Sequence, residues 1–127
     1  MSKEIILRGE TDGASASGTV SLNSDIFHSA VSYFRLPKGM KALITFKKVS
    51  GEGETLFTLQ YSNDVTVDSP EWKAIEREKL SSKGEMAVEG VAIILHSLTG
   101  KEGVQVIYEQ PTAVKAYIEL GVELKNE

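Results

Sequence analysis

Cysteine is absent from this 127-residue chain, and tryptophan and histidine are scarce, with one and two copies. Without a thiol there is no disulfide, no thiolate nucleophile and no cysteine-ligated zinc site. A secreted domain of this size can dispense with disulfides, so the absence tilts only toward an intracellular origin. Long apolar runs are missing too. The longest, "VAIIL" at Val91–Leu95, falls well short of the roughly 18 residues of a membrane span. The opening "MSKEIILRGE" has too brief an apolar stretch for a signal peptide. Synthesis in the cytoplasm, with no membrane partner, is the expectation.

Positive charge is also in short supply. Fourteen basic residues face 18 acidic ones, giving a net charge of −4. The longest basic run is Lys47–Lys48. Nucleic-acid binders usually display a basic patch or stripe, so nucleic acid is not an expected partner. Catalytic signatures are missing as well. No Gly-x-Ser-x-Gly, His-Glu-x-x-His or phosphate-loop motif is present. His28 and His96 lie far apart in sequence. His96 ends an apolar run, where a histidine is usually a partly buried packing residue. Paired carboxylates for hydrolysis can be brought together only by the fold. The expectation is therefore no enzyme and no cofactor, with a small hydrolase as the remote alternative.

What is present is alternation. In "AVKAYIELGVELK", apolar Val114, Ala116, Ile118, Leu120, Val122 and Leu124 take every second place. That period of two predicts a long strand with one dry and one wet face. Met40, Ala42, Ile44 and Phe46 repeat the pattern, as do Phe57, Leu59 and Tyr61, and then Val104, Val106 and Tyr108. The glycines of "SGEGE" and "LTGKEG" suggest two hairpins, joining 40–49 to 55–61 and 90–97 to 103–110. "KEIILRG", "GTVSL" and "AVSYFRL" read as further strands. The chain is read as a single domain. It is all-β, a jelly-roll-like antiparallel sandwich of roughly seven to nine strands with little helix.

Three stretches resist that pattern. Residues 9–25, "GETDGASASGTVSLNSD", are small and polar. They are expected to form a flexible segment, either a surface loop or an arm, Thr11–Asn23, ordered against a neighbouring subunit. "SPEWKAIEREKLSS" admits a capped helix, although an exposed loop leading into a short strand is favoured. "YSNDVTVDSPEW", residues 61–72, gathers Asn63, Asp64, Asp68 and Glu71 with Trp72. Asn63, Asp64 and Asp68 are weak calcium candidates, because the calcium-loop register and its turn glycine are missing. The plainer reading is a turn built on Asn63 and Asp64, with Trp72 folded back as a plug at the sandwich edge. Tyr117 falls on the wet face of the last strand between Lys115 and Glu119. Ordinary exposure, a subunit contact and ligand stacking all remain open for it.

The cadence "LFTLQYSNDVTVDSPEWKAI", Leu56–Ile75, resembles one found in jelly-roll sandwich modules. There a strand ending in Gln-Tyr-Ser enters an Asn/Asp loop, and a tryptophan opens the next strand. Such modules include carbohydrate-binding and discoidin-like domains. They also include sandwich proteins of phage and archaeal virus particles, among them capsid decoration and tail-associated proteins. The resemblance implies a structural protein that self-associates or coats a larger assembly, incorporated as a virion component. A carbohydrate-binding module with a glycan partner is the alternative. In the first case the outward strip Lys115, Tyr117, Glu119 would carry contacts; in the second, Trp72 and Tyr61 would.

Overall fold

The computed structural model describes residues 2–24, 29–51, 54–75 and 92–126. His28 and the latter half of the alternative helix lie outside them. The described residues form ten strands and no helix. They are β1 (Ser2–Glu10), β2 (Ser17–Thr19), β3 (Ser21–Asn23), β4 (Phe34–Arg35), β5 (Met40–Gly51), β6 (Leu56–Ser62), β7 (Lys73–Ala74), β8 (Ala92–Ser97), β9 (Gly103–Glu109) and β10 (Ala116–Asn126).

Two antiparallel sheets face each other. The first has the order β3-β1-β10-β5-β8. The second runs β2-β9-β6-β7, with β4 also paired to β9. β2 lies opposite Ile107–Glu109 and β4 opposite Gly103–Val104, while β6 occupies the other side of β9. β2 and β4 therefore share one edge. The pairs β1·β10, β2/β4·β9, β5·β8 and β6·β7 nest inside one another. They form a single long antiparallel ribbon, rolled up and sealed by β5·β10 and β6·β9. That is the jelly roll, an all-β sandwich.

Both expected hairpins are corrected by this topology. β5 and β6 lie in different sheets, and so do β8 and β9. A glycine-bearing turn between two alternating runs serves an arch between layers as well as a hairpin within one. Only long-range pairing distinguishes them.

The alternation itself sets the core. Ala42, Ile44, Phe46, Phe57, Leu59, Val104, Val106, Tyr108, Ala116, Ile118, Leu120, Val122 and Leu124 are all buried between the sheets. Burying each large apolar side chain contributes about 1.5–3 kcal/mol, so this interior is the main source of stability.

Residues 9–24, expected as a flexible polar segment, include buried side chains. Thr11 is buried, and Val20 and Leu22 are fully so. "GTVSL" is two strands rather than one: Ser17–Thr19 joins the second sheet and Ser21–Asn23 the first. Val20 lies where the chain passes from the second sheet to the first, and Leu22 lies on β3 itself. This division brings the strands among the described residues to ten.

On the outer side of the first sheet, the β5·β10 register slips between Glu119 and Leu120. Lys48 pairs with Glu119 and Phe46 with Leu120, leaving Lys47 as the extra residue of a bulge. Its side chain crosses Gly121 of β10 and reaches Glu4 of β1, Nζ to Oε1 2.7 Å. A Cβ at Gly121 would come within 2.4 Å of Lys47 Cε. The glycine supplies the trough in which the lysine lies.

Candidate functional site

The two ends of the sandwich hold the loops. One end carries the β4–β5, β6–β7 and β8–β9 connections, and here Tyr61–Trp72 folds. Ser62 Oγ lies 3.3 Å from both the amide and the carbonyl of Asp64. Asp64 Oδ1 accepts from the Thr66 amide at 2.9 Å and the Thr66 hydroxyl at 2.5 Å. The Thr66 hydroxyl, then its amide, hold the Asp64 carboxyl below its ordinary range, with Lys101 and Arg35 adding to the effect. Val65 turns inward and is buried. The stretch is thus a side-chain-stabilised turn around a hollow of about 300 Å³, bordered by Tyr61, Asn63, Asp64, Val67, Ser69 and Glu71. Among the described residues, no three His, Cys, Asp or Glu side chains are grouped to hold a metal ion.

Trp72 does not plug the core. It is half-buried, and its ring meets Tyr33 at a centroid distance of 6.1 Å and a tilt of 51°. Beside Tyr33, Val31–Arg35 line a cleft of about 500 Å³. Gln60 and Gln105 are cross-strand partners on β6 and β9. Their positions alternate with the inward-facing Leu59, Val104 and Val106, which places the two amides on the outer face of the second sheet. Gln105 Nε2 donates to Gln60 Oε1 at 2.6 Å. Tyr61 packs against the core instead, and burial raises its hydroxyl pKa, with the Glu102 charge adding to the rise.

Tyr117 stands on the outer face of the first sheet, 45% exposed. It separates two hollows of about 290 and 190 Å³. Arg8 and Gly9 border both; Glu10, Ser21 and Asn23 border the larger, Ser50 and Glu119 the smaller. Ion pairs flank the ring: Arg8 Nε to Glu119 Oε2 at 3.7 Å and Lys115 Nζ to Glu10 Oε2 at 3.5 Å. Lys115, Tyr117 and Glu119 do share a region, as their spacing implies. His96 is exposed at the rim of the first sheet rather than packed inside.

The most ordered polar site lay hidden in "LTGKEG". Glu102 is only 6% exposed. Its carboxylate accepts from the Ser97 hydroxyl (3.1 Å), the Leu98 amide (3.0 Å), the Thr99 hydroxyl (2.9 Å) and the Lys101 amide (3.1 Å). Burial pushes the Glu102 pKa up, but these donors together with its own amide outweigh that and hold it at about 2. At the opposite end Gln110 donates to Thr55 Oγ1 and the Val114 carbonyl, both at 2.9 Å, and accepts from the Val114 amide at 3.2 Å. Nearby, the buried Tyr108 hydroxyl donates to the Ser15 carbonyl at 3.1 Å. A glutamate beside a turn glycine, with Ser97 and Thr99 close in sequence, was the available signal for the first of these.

No family model and no curated protein matches the chain. The solved structures similar to it include the following two. One is the cyanophage Pam1 capsid asymmetric unit, at 13% identity and a TM-score of 0.42, covering 99% of this chain and 85% of that one. The other is the CBM22-1–GH10 portion of Clostridium thermocellum endo-1,4-beta-D-xylanase 10B complexed with xylohexaose, at 12% identity and a TM-score of 0.39, covering 99% of this chain and 26% of that one. These are the two kinds of sandwich, viral and carbohydrate-binding, that the Leu56–Ile75 cadence resembles. At such identity and score they carry no argument about activity.

Proposed function

We propose that this chain is a non-enzymatic assembly protein, one that self-associates and coats a larger particle as a virion component of the decoration or tail-associated kind. On this reading it is made in the cytoplasm and ends in the particle. The observation that carries the proposal is the placement of its exposed large apolar side chains. Val67, Ile94, Leu98 and Tyr117 are 45–69% exposed on a chain whose interior is otherwise well filled. Tyrosine is enriched on surfaces that partners bury, and the exposed aliphatic side chains add apolar area to the same outside. The shifted carboxyl groups among the described residues, Asp12, Asp64 and Glu102, all move downward. A general acid needs the opposite shift, which leaves the hydrolase reading without support. Size-exclusion chromatography with light scattering tests the proposal. Oligomers that grow with concentration are expected, and a monomer across the whole range would overturn it.

A second reading has its own observation. The Tyr33–Trp72 ring pair beside the 500 Å³ cleft, near the Gln60–Gln105 amides, combines apolar faces with hydrogen-bonding groups as a glycan site requires. A glycan array with the native protein and Trp72→Ala decides it. Binding lost in a folded variant supports the site, and an empty array removes it.

A further inference from the structure

The Tyr33–Trp72 ring pair is assembled from two segments that have short ladders of their own. Tyr33 precedes β4 and Trp72 precedes β7, each a strand of two residues. A second set of bonds runs from both segments to the turn before β9. Arg35 Nε donates to the Gly100 carbonyl at 2.6 Å, and the Leu36 amide donates to the Glu102 carbonyl at 2.8 Å. The Val65 amide, in the loop that leads to Trp72, donates to the Lys101 carbonyl at 2.8 Å. The two segments also meet at Gly103. A Cβ there would lie 2.7 Å from Val65 Cγ1 and 3.2 Å from the Phe34 carbonyl oxygen.

Glu102 shapes that turn from inside. Its carboxylate collects the Leu98 and Lys101 amides and the Ser97 and Thr99 hydroxyls. The Gly100–Lys101 peptide is trans, so its N–H and C=O point opposite ways. The N–H meets the Glu102 carboxylate at 3.1 Å, and the C=O meets Arg35 at 2.6 Å. One peptide group therefore links the buried carboxylate to the segment that carries Tyr33. The next carbonyl, that of Lys101, links it through Val65 to the segment that carries Trp72.

We propose that Glu102 is the positioning residue of the Tyr33–Trp72 pair. Its carboxylate sets the Gly100 and Lys101 carbonyls, and these hold the two segments so that the ring centroids stand 6.1 Å apart. Rings on loops bind a sugar face best when their spacing is fixed beforehand, because ordering them on contact costs affinity. For that use the inference rests on the glycan reading above. The coupling itself is read without a ligand, so an empty glycan array and a failed coupling are separate results. Glutamine is a poor substitute for Glu102, since its carboxamide keeps one accepting oxygen and sets an NH2 group against a loop of donors.

Trp72 is the only tryptophan in the chain, so tryptophan fluorescence reports this site alone. Emission maximum and acrylamide quenching are measured on the full-length folded protein, with circular dichroism checking each variant. Tyr33→Ala uncovers the indole and gives the readings of an open pair. Glu102→Gln is expected to move both readings toward those values and to add nothing in the Tyr33→Ala background. Gln110→Glu weakens the fold from beyond the finish of β9 and is expected to leave both readings at wild type. Arg35→Ala removes an exposed tie, with a smaller shift in the same direction expected, and it stands in if Glu102→Gln does not fold. Wild-type readings in Glu102→Gln, or in Arg35→Ala where it stands in, overturn the proposal. Equal movement in Gln110→Glu overturns it too, since that is general loosening. So does a full further shift in the double variant, because Glu102 then acts on Trp72 without Tyr33.

Discussion

The strand β9 is bracketed by two long polar side chains, Glu102 before it and Gln110 after it, and each folds back to organise the loops at its own end of the sandwich. The loop 97–101 offers Glu102 donors: two hydroxyls and the amides of Leu98, Thr99 and Lys101. A carboxylate, which only accepts, is matched to that set. Gln110 meets a mixed set, the Thr55 hydroxyl and Val114 carbonyl on its nitrogen and the Val114 amide on its oxygen. Only an amide both donates and accepts in that geometry. Thr11 continues the neutral network, donating to the Val114 carbonyl at 2.8 Å and accepting from the Ala116 amide at 2.9 Å. Side chains of nearly equal size are therefore not interchangeable here. β9 is thus fastened through a charged side chain at its start and a neutral one at its finish.

The sharpest way to break this comparison is to remove the charge. Glu102→Ala leaves two hydroxyls and several loop amides without their acceptor, and is expected to cost about 3 kcal/mol in urea denaturation. Gln110→Glu puts a carboxylate against the Val114 carbonyl at the neutral end. A loss of about 2–3 kcal/mol at pH 7 is expected, shrinking on acidification as the misplaced carboxyl takes up a proton. Thermal melts at pH 7 and pH 4 would compare the two conditions; an equal loss at both would contradict it.

The pH dependence of the native protein sharpens the same contrast. Glu102 titrates at about 2 in the folded chain against an ordinary 4.5. Its contribution is fully present above pH 4.5 and disappears as the pH falls through about 2. The total at stake is about 3 kcal/mol. Glu102→Gln is expected to be less stable at pH 7 by about 2 kcal/mol and to flatten the wild-type decline over that window. The smallest effect belongs to the neutral end. Thr11→Val should cost about 1 kcal/mol with no pH dependence between 2 and 7, measured by the same denaturation series.

Legibility followed the range of the interaction involved. The buried faces of β5, β6, β9 and β10 were readable because side-chain alternation is a local property of a strand. Val20 and Leu22 were undervalued because two apolar residues in a polar run show no period. The hairpins were misjudged because an arch and a hairpin use the same turn residues. Glu102 was passed over because a glutamate beside a turn glycine looks like surface until the loop wraps around it. Trp72 was noticed, but its partner Tyr33 lies in the loop before β4, far away in the chain.

The amino-acid sequence by itself determined that this chain builds layered antiparallel sheets, since the spacing of apolar side chains fixes which face of each strand turns from water. It also determined that Tyr117 would stand outside between Lys115 and Glu119. The tertiary structure alone decided that the strands roll as one nested ribbon, that Glu102 is buried, and that Leu98 and Tyr117 sit at opposite ends. Those outcomes depend on contacts between residues far apart in the chain, which local spacing cannot encode.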